Sequence, residues 1–175
     1  MKTLTLDILD ETRRLPEEAL SWLIGHSQRA SRRLGVVGEI RIRIVDDTAM
    51  SAAHQEYMDI EGTTDILTFD RTDTQEHPRT SRLTLTDIQS GDPQSLTFVE
   101  SDMLICLDEA VRQCTPHGYP SERELLLYVV HGLLHCLGFD DHEEAEYELM
   151  HSMEDAVLEG IGVGPVFHRA REVGE

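Results

Sequence analysis

The chain has 175 residues, 39% hydrophobic and 28% charged, which is enough for one domain with a real core and too few for two ordinary ones. Fifteen Lys and Arg against 34 Asp and Glu give a formal charge of −19, which argues against a broad basic face gripping nucleic acid. No apolar run approaches the roughly 20 residues that span a bilayer, so no membrane partner is expected.

Residues 3–8, TLTLDI, alternate and predict a strand rather than a signal peptide. Pro16, Glu17 and Glu18 open a helix that buries Leu20, Trp22, Leu23, Ile24 and Ala30 and ends near Gly35. Residues 37–45 are the clearest period-two segment, with Ile40, Ile42 and Ile44 on one face and Arg41, Arg43 and Val45 on the other. Asp46 and Asp47 are cap candidates for a helix over 48–58. A strand is expected over 65–69. Residues 71–100 are polar and rich in turn formers, and read as a surface insertion carrying a hairpin around LTLTD and SLTFV. MLICL, 103–107, suits a buried strand, and 108–114 a short helix. Ser121 and Glu124 form a capping-box pattern for a nearly all-apolar, hence central, helix that stops at Gly138. A last amphipathic helix covers about 143–159. The mixture lacks strict strand–helix alternation, so the class is α+β: one domain over 1–160, a sheet of about four strands, and a tail over 161–175. Three cysteines, Cys106, Cys114 and Cys136, imply no disulfide framework and fit a reducing cytoplasm.

The chemistry concentrates in HGLLHCLGFDDH, 131–142. His131 and His135 lie one helical turn apart on one face, the geometry for two ligands on one zinc ion. Gly138 lets the chain fold back, and Asp140, Asp141 or His142 then supplies a third ligand. Three protein ligands leave a position for water, whose pKa the metal lowers towards about 7. With nine histidines in the chain the paired spacing alone is weak evidence, and the glycine and nearby third ligand strengthen it. Zinc peptidases of the HExxH type place a glutamate beside the first histidine; here that position is Gly132, which disfavours that design. Cys136 sits about 100° round the helix from this face and reads as core.

The stretch 121–142 resembles the hallmark HGxLHLxGYDH of the YbeY family of rRNA maturation endoribonucleases. TTDILTF, 63–69, is similar to that family's PTDVLSF; SDMLICLDEAVRQC, 101–114, to its GDIxIxxxxAxxQA; and MHSMEDAVL, 150–158, to its MEALEEEIL. The resemblance runs in order through most of residues 37–160. It implies one α+β domain whose cleft holds one zinc (Zn2+) bound by three histidines. It also implies cleavage of single-stranded rRNA, in small-subunit 3′-end maturation and ribosome quality control in the bacterial cytoplasm.

Three departures qualify the transfer. The family's third histidine falls ten positions after the first, which here is Asp141, with His142 one step on. An inserted loop residue makes His142 the ligand, and an unbroken register makes it Asp141. Family ligand chemistry tips the reading to His142, and both are retained. The family's arginine before its TDVLSF segment, thought to meet the RNA phosphate, is replaced by Met58, which removes a stabiliser of transition-state charge. The family's Asn at the start of that segment is His54, and 71–100 is longer than usual.

Among the remaining candidates, Asp65 either orients a ligand histidine or, more commonly for such a residue, caps a turn. Asp140 either polarises water or shapes the loop. Arg41 and Arg43 form a small basic strip or are solvated, and the same choice holds for Arg112 and Arg123. Glu143, Glu144, Glu146 and Glu148 read as a solvated helix face. The leading expectation is a zinc endoribonuclease brought to RNA by the ribosome or a ribosomal protein. The alternative is a ribosome-associated binding factor with structural zinc and little nuclease activity. A peptidase with an unusual base ranks third.

Overall fold

The computed structural model describes residues 3–79 and 83–166. Strand β1, Leu4–Asp10, leads through helix α1, Glu17–Arg33, to β2, Val36–Val45. Helix α2, Asp47–Met58, and strand β3, Ile66–Asp70, follow, then α3, Leu85–Ser90, and β4, Thr97–Cys106. Helix α4, Leu107–Cys114, a single 3₁₀ turn, Thr115–His117, α5, Ser121–Cys136, and α6, Glu144–Gly160, complete the domain. The sheet order is β1-β2-β4-β3, with β1, β2 and β4 parallel and β3 antiparallel to β4. This is the α+β class and the four-strand mixed sheet that the pattern predicts.

The period-two segment explains the sheet's position. Ile40, Ile42 and Ile44 are fully buried under the helices, while Arg41 and Arg43 point to the other face. Between the strand and the outer helices lies α5, whose Leu125, Leu126, Val129, Val130, Leu133 and Leu134 are fully buried. A helix apolar all round needs neighbours on every side, and α1, α4, α6 and the sheet supply them. No helix among the described residues is long and apolar enough to cross a membrane.

Three local expectations are corrected. The LTLTD–SLTFV hairpin does not form. Thr84 and Asp87 instead close a reciprocal capping box, and that local solution starts α3, whose Ile88 is fully buried. Residues 97–100 are not part of a surface insertion, because they begin β4, pairing with Val36–Glu39. The Ser121–Glu124 box does not form either. Pro120 takes the position before the helix, without a side-chain cap, and Glu124 turns inward to accept a 2.6 Å hydrogen bond from the Tyr119 hydroxyl. Asp46 does cap α2, accepting from the Ala49 amide at 2.8 Å. Of the expected tail, Ile161 and Val166 are buried, and 167–175 lie outside the described residues.

Gly132 shows why the HExxH arrangement is absent. A Cβ at that position would stand 2.8 Å from Ile66 Cδ1 and 3.0 Å from both Met103 Sδ and Thr68 Oγ1. The position faces the sheet, so a glutamate there would press a carboxylate between helix and strands against Ile66 and Met103, with the Thr68 hydroxyl the one polar group among those contacts. Gly132→Glu is expected to cost more than about 3 kcal/mol and to confer no peptidase activity. A urea melt beside a casein digest checks both.

Candidate metal centre

Helix α5 delivers His131 and His135 one turn apart, and their Nε2 atoms lie 2.9 Å from one another. Helix α5 then ends by a glycine C-cap. Gly138, at φ +95°, returns its amide to the His135 carbonyl, and Phe139 returns its own to Leu134. That turn aims the Phe139 carbonyl at His135 Nδ1, at 3.0 Å. Asp140 Oδ1 accepts from the Asp141 amide at 2.8 Å, and the loop so shaped brings the Asp141 carboxylate over the histidine pair. Its oxygens stand 3.6 Å from His131 Nε2 and 3.9 Å from His135 Nε2.

The other ring nitrogens set the electronic state. Phe139 offers only a carbonyl, so His135 Nδ1 must donate, which leaves the Nε2 lone pair bare in the neutral ring. His131 Nδ1 meets Glu154 Oε1 at 2.6 Å, with the glutamate 1% exposed. The second oxygen of Glu154 meets His151 Nδ1 at 2.5 Å. Although burial pushes its pKa up, the hydrogen bonds from His131 and His151 hold Glu154 below the ordinary glutamate range, hence ionised. Burial opposes charge on His131, but the Glu154 hydrogen bond and charge outweigh it and raise its pKa. His135 is lowered, first by burial and then by the neighbouring His131.

When both rings are neutral, three acceptors, Nε2, Nε2 and a carboxylate, converge with no donor of their own between them. A cation is the group that satisfies such a set. Two ligands of one tetrahedral zinc, each about 2.0–2.1 Å from it, lie about 3.3 Å apart, and the three separations here bracket that value. His131, His135 and Asp141 thus fit a zinc ion as they stand.

The structure distributes the other expected residues as follows. His142 is turned outward, its side chain 83% exposed and its Nε2 3.3 Å from Asp140 Oδ1. It joins Asp140 and Asp141 in a second possible cation group rather than the histidine pair. Asp65 accepts from the Ile66 amide at 2.7 Å and the Thr64 hydroxyl at 3.1 Å, a turn-shaping role, and its charge also reaches His131. Cys136 is 1% exposed. His54 Nδ1 meets the Gly62 carbonyl at 2.9 Å. Arg41 is paired with Asp102 at 2.8 Å and Arg43 with Asp7 at 3.0 Å, around a cavity that shares no residue with those at the histidines. Arg112 is held by Asp47, whose pKa the guanidinium lowers to about 2, and Arg123 donates to the Val163 carbonyl.

Two cavities flank the centre and share His131 and Asp65. One, about 350 Å³, runs along β3 and includes Met58 and His135. The other, about 520 Å³, opens between α4, α5 and α6 and includes Asp141, His151 and Glu154. The composition reading missed Glu154 and His151. The signal was present: Glu154 interrupts an apolar stripe of Met150, Met153, Val157 and Leu158, and an acid on a buried stripe needs a partner.

Fold and site define an α+β domain with a histidine pair and a carboxylate that could hold a cation in an open groove. A family model described as Endoribonuclease YbeY matches residues 5–162. The chain belongs to that family of RNA-cleaving hydrolases. A protein of Micrococcus luteus named Endoribonuclease YbeY is 29% identical over 160 residues, 90% of this chain and 92% of its own. One of Moorella thermoacetica with the same name is 32% identical over 156 residues, 84% of this chain and 89% of its own. One of Bacillus licheniformis is 30% identical over 163 residues, 92% and 97%. A solution structure from Thermotoga maritima covers 98% of this chain and 96% of its own, at 16% identity and a TM-score of 0.49.

Proposed function

We propose that this protein is a zinc-dependent endoribonuclease that cleaves single-stranded rRNA at the 3′ end of small-subunit precursors. The proposal includes a part in ribosome quality control, action in the cytoplasm, and a ribosome or ribosomal protein as the partner that brings RNA to a strongly acidic chain. The active unit is the domain over 1–160. Family membership supports the reaction class. The observation that carries the metal reading is the convergence of the Asp141 carboxylate with two ring nitrogens whose tautomers are fixed from behind.

His131, His135 and Asp141 hold the ion, and we place Asp141 ahead of His142 because only the former reaches both Nε2 atoms. When bound, zinc supplies a Lewis acid for the phosphate and lowers the pKa of water. Glu154 keeps the His131 proton on Nδ1, and the Phe139 carbonyl does the same for His135, so both rings present lone pairs to the groove. Asp140 fixes the loop that carries Asp141. Asp65, at the junction of the two cavities, is the residue placed to accept a proton from attacking water, with one oxygen already anchored by the Ile66 amide.

Metal analysis and cleavage of a single-stranded RNA decide the matter together. Wild type is expected to hold about one zinc per chain. Asp141→Ala should lose at least tenfold in zinc affinity and in cleavage, while His142→Ala keeps both within about twofold. The reverse pattern makes His142 the ligand, and a metal-free wild type removes the centre.

A further inference from the structure

The cavity between α4, α5 and α6 has a chemistry that phosphate binding does not explain. Among the described residues its wall carries Asp65, Glu109, Glu124, Asp141 and Glu154 and no lysine or arginine. A phosphate would be repelled there. Glu124 is only 6% exposed, and one of its oxygens is taken by the Tyr119 hydroxyl. Tyr128, 4% exposed, belongs to the same wall, and its buried hydroxyl lies beside Glu124 without reaching good hydrogen-bond geometry. A buried hydroxyl so poorly paired costs free energy, so a ligand that pairs it well recovers that cost. Tyr147 and His151 meet edge to face at 4.2 Å and add ring surface at the same cavity. The cavity's size, about 520 Å³, lies in the range of small-ligand sites.

We propose that this cavity receives one amino-bearing nucleobase of the RNA strand, next to the phosphate at the histidine pair, and so sets base preference at the cleavage site. The inference rests on the endoribonuclease reading. The occupant follows from the donors and acceptors. Unstacked bases of single strands are recognised by stacking and by hydrogen bonds to their edges. Carboxylates accept from exocyclic amines, as they do from cytosine N4. Cytosine, adenine and guanine carry such an amine. Uracil presents a carbonyl in its place, which would face the carboxylates with no proton to share. The two cavities meet at His131 and Asp65, so a strand crossing the centre lays one nucleotide along β3 and inserts its neighbour's base between the helices. Tyr128 and Glu124 are the specificity-determining pair.

Cytidine and uridine monophosphates differ at that one group and are the probes. Titrated into the full-length protein and followed by NMR, the cytidine nucleotide is expected to bind about tenfold more tightly than the uridine nucleotide. Tyr128→Phe and Glu124→Gln, each checked for an unchanged thermal transition, should shrink that ratio to about two. A single-stranded RNA with one C, placed against its U counterpart, should show the same ratio in cleavage. Equal binding of the two nucleotides by wild type overturns the proposal, whatever the variants do. So does displacement of the cytidine nucleotide by millimolar magnesium with a retained shift at Glu124, which makes the wall a cation site. A protein that prefers cytidine yet cleaves no RNA leaves the pocket standing and removes the nuclease reading. One that cleaves without base preference does the opposite.

Discussion

Met58→Arg should raise cleavage of single-stranded RNA by about tenfold or more. Met58 ends α2 and is 45% exposed, and it lines the β3 cavity together with His131 and His135. A phosphodiester moving towards its transition state gains negative charge on its oxygens. A preorganised cation beside them lowers the barrier, and the thioether of methionine supplies none. The resemblance to the YbeY family implies an arginine at this position, so the substitution supplies a cation beside the histidines where that resemblance expects one. Half-exposure means the longer side chain enters without repacking the core, and the thermal transition should move by less than a few degrees. Asp65 and Asp70 share the cavity and will draw the guanidinium towards them, which limits the gain and keeps the side chain over the groove rather than in solvent. The measurement is kcat/KM on one oligonucleotide at fixed zinc and salt. An unchanged kcat/KM would favour the second reading, a binding factor whose zinc is structural, because Met58 is the feature that reading explains best.

How much of this was legible in the sequence depends on whether the determinant is local. The alternation of 37–45 and the apolar run of 125–137 announce a buried strand and a central helix, and both appear at almost those bounds. Burial on one face leaves a period that a single segment carries by itself. The HxxxH pair was legible for the same reason, since spacing on one helix is local geometry. The errors cluster where a residue's partner is distant or where two local solutions compete. Thr84 and Asp87 could serve a turn or a cap, and the helix won because Ile88 gains a buried position against α6. Ser121 and Glu124 match a capping box, but the Tyr119 hydroxyl holds Glu124 inside against the cost of burying its carboxyl group. The early half of β4 looked polar because Glu100, Ser101 and Asp102 lie in it. A central strand tolerates them when Asp102 faces outward to Arg41 and Arg71, and when Ser101 bonds the Phe69 carbonyl. The choice between Asp141 and His142 turns on how a loop after Gly138 is folded by the Asp140 side chain, which no periodicity encodes.

Glu154 is the residue whose loss should cost the most in the centre. Its two oxygens accept from His131 Nδ1 and His151 Nδ1, at 2.6 and 2.5 Å, in a place 1% exposed. Glu154→Ala leaves two buried ring N–H groups without acceptors and should destabilise the fold by about 3–5 kcal/mol. Glu154→Gln is the sharper test because it conserves shape. Its amide has one carbonyl oxygen and one NH2, so it can accept from only one of the two rings. The other ring must then move its proton to Nε2. If that ring is His131, the proton lands on the atom that faces His135 and Asp141, where a cation would sit. Zinc affinity should fall by about 10–100-fold while the fold persists. His151→Gln separates the two effects. It removes the outer claimant on Glu154 and leaves the carboxylate to His131, so zinc affinity should stay within about threefold of wild type. Competition with a chromophoric chelator reads the affinities, and histidine 15N shifts of the metal-free proteins read which nitrogen carries the proton. Retained zinc affinity in Glu154→Gln, with the His131 proton still on Nδ1, would mean that packing rather than the carboxylate holds the ring in its tautomer.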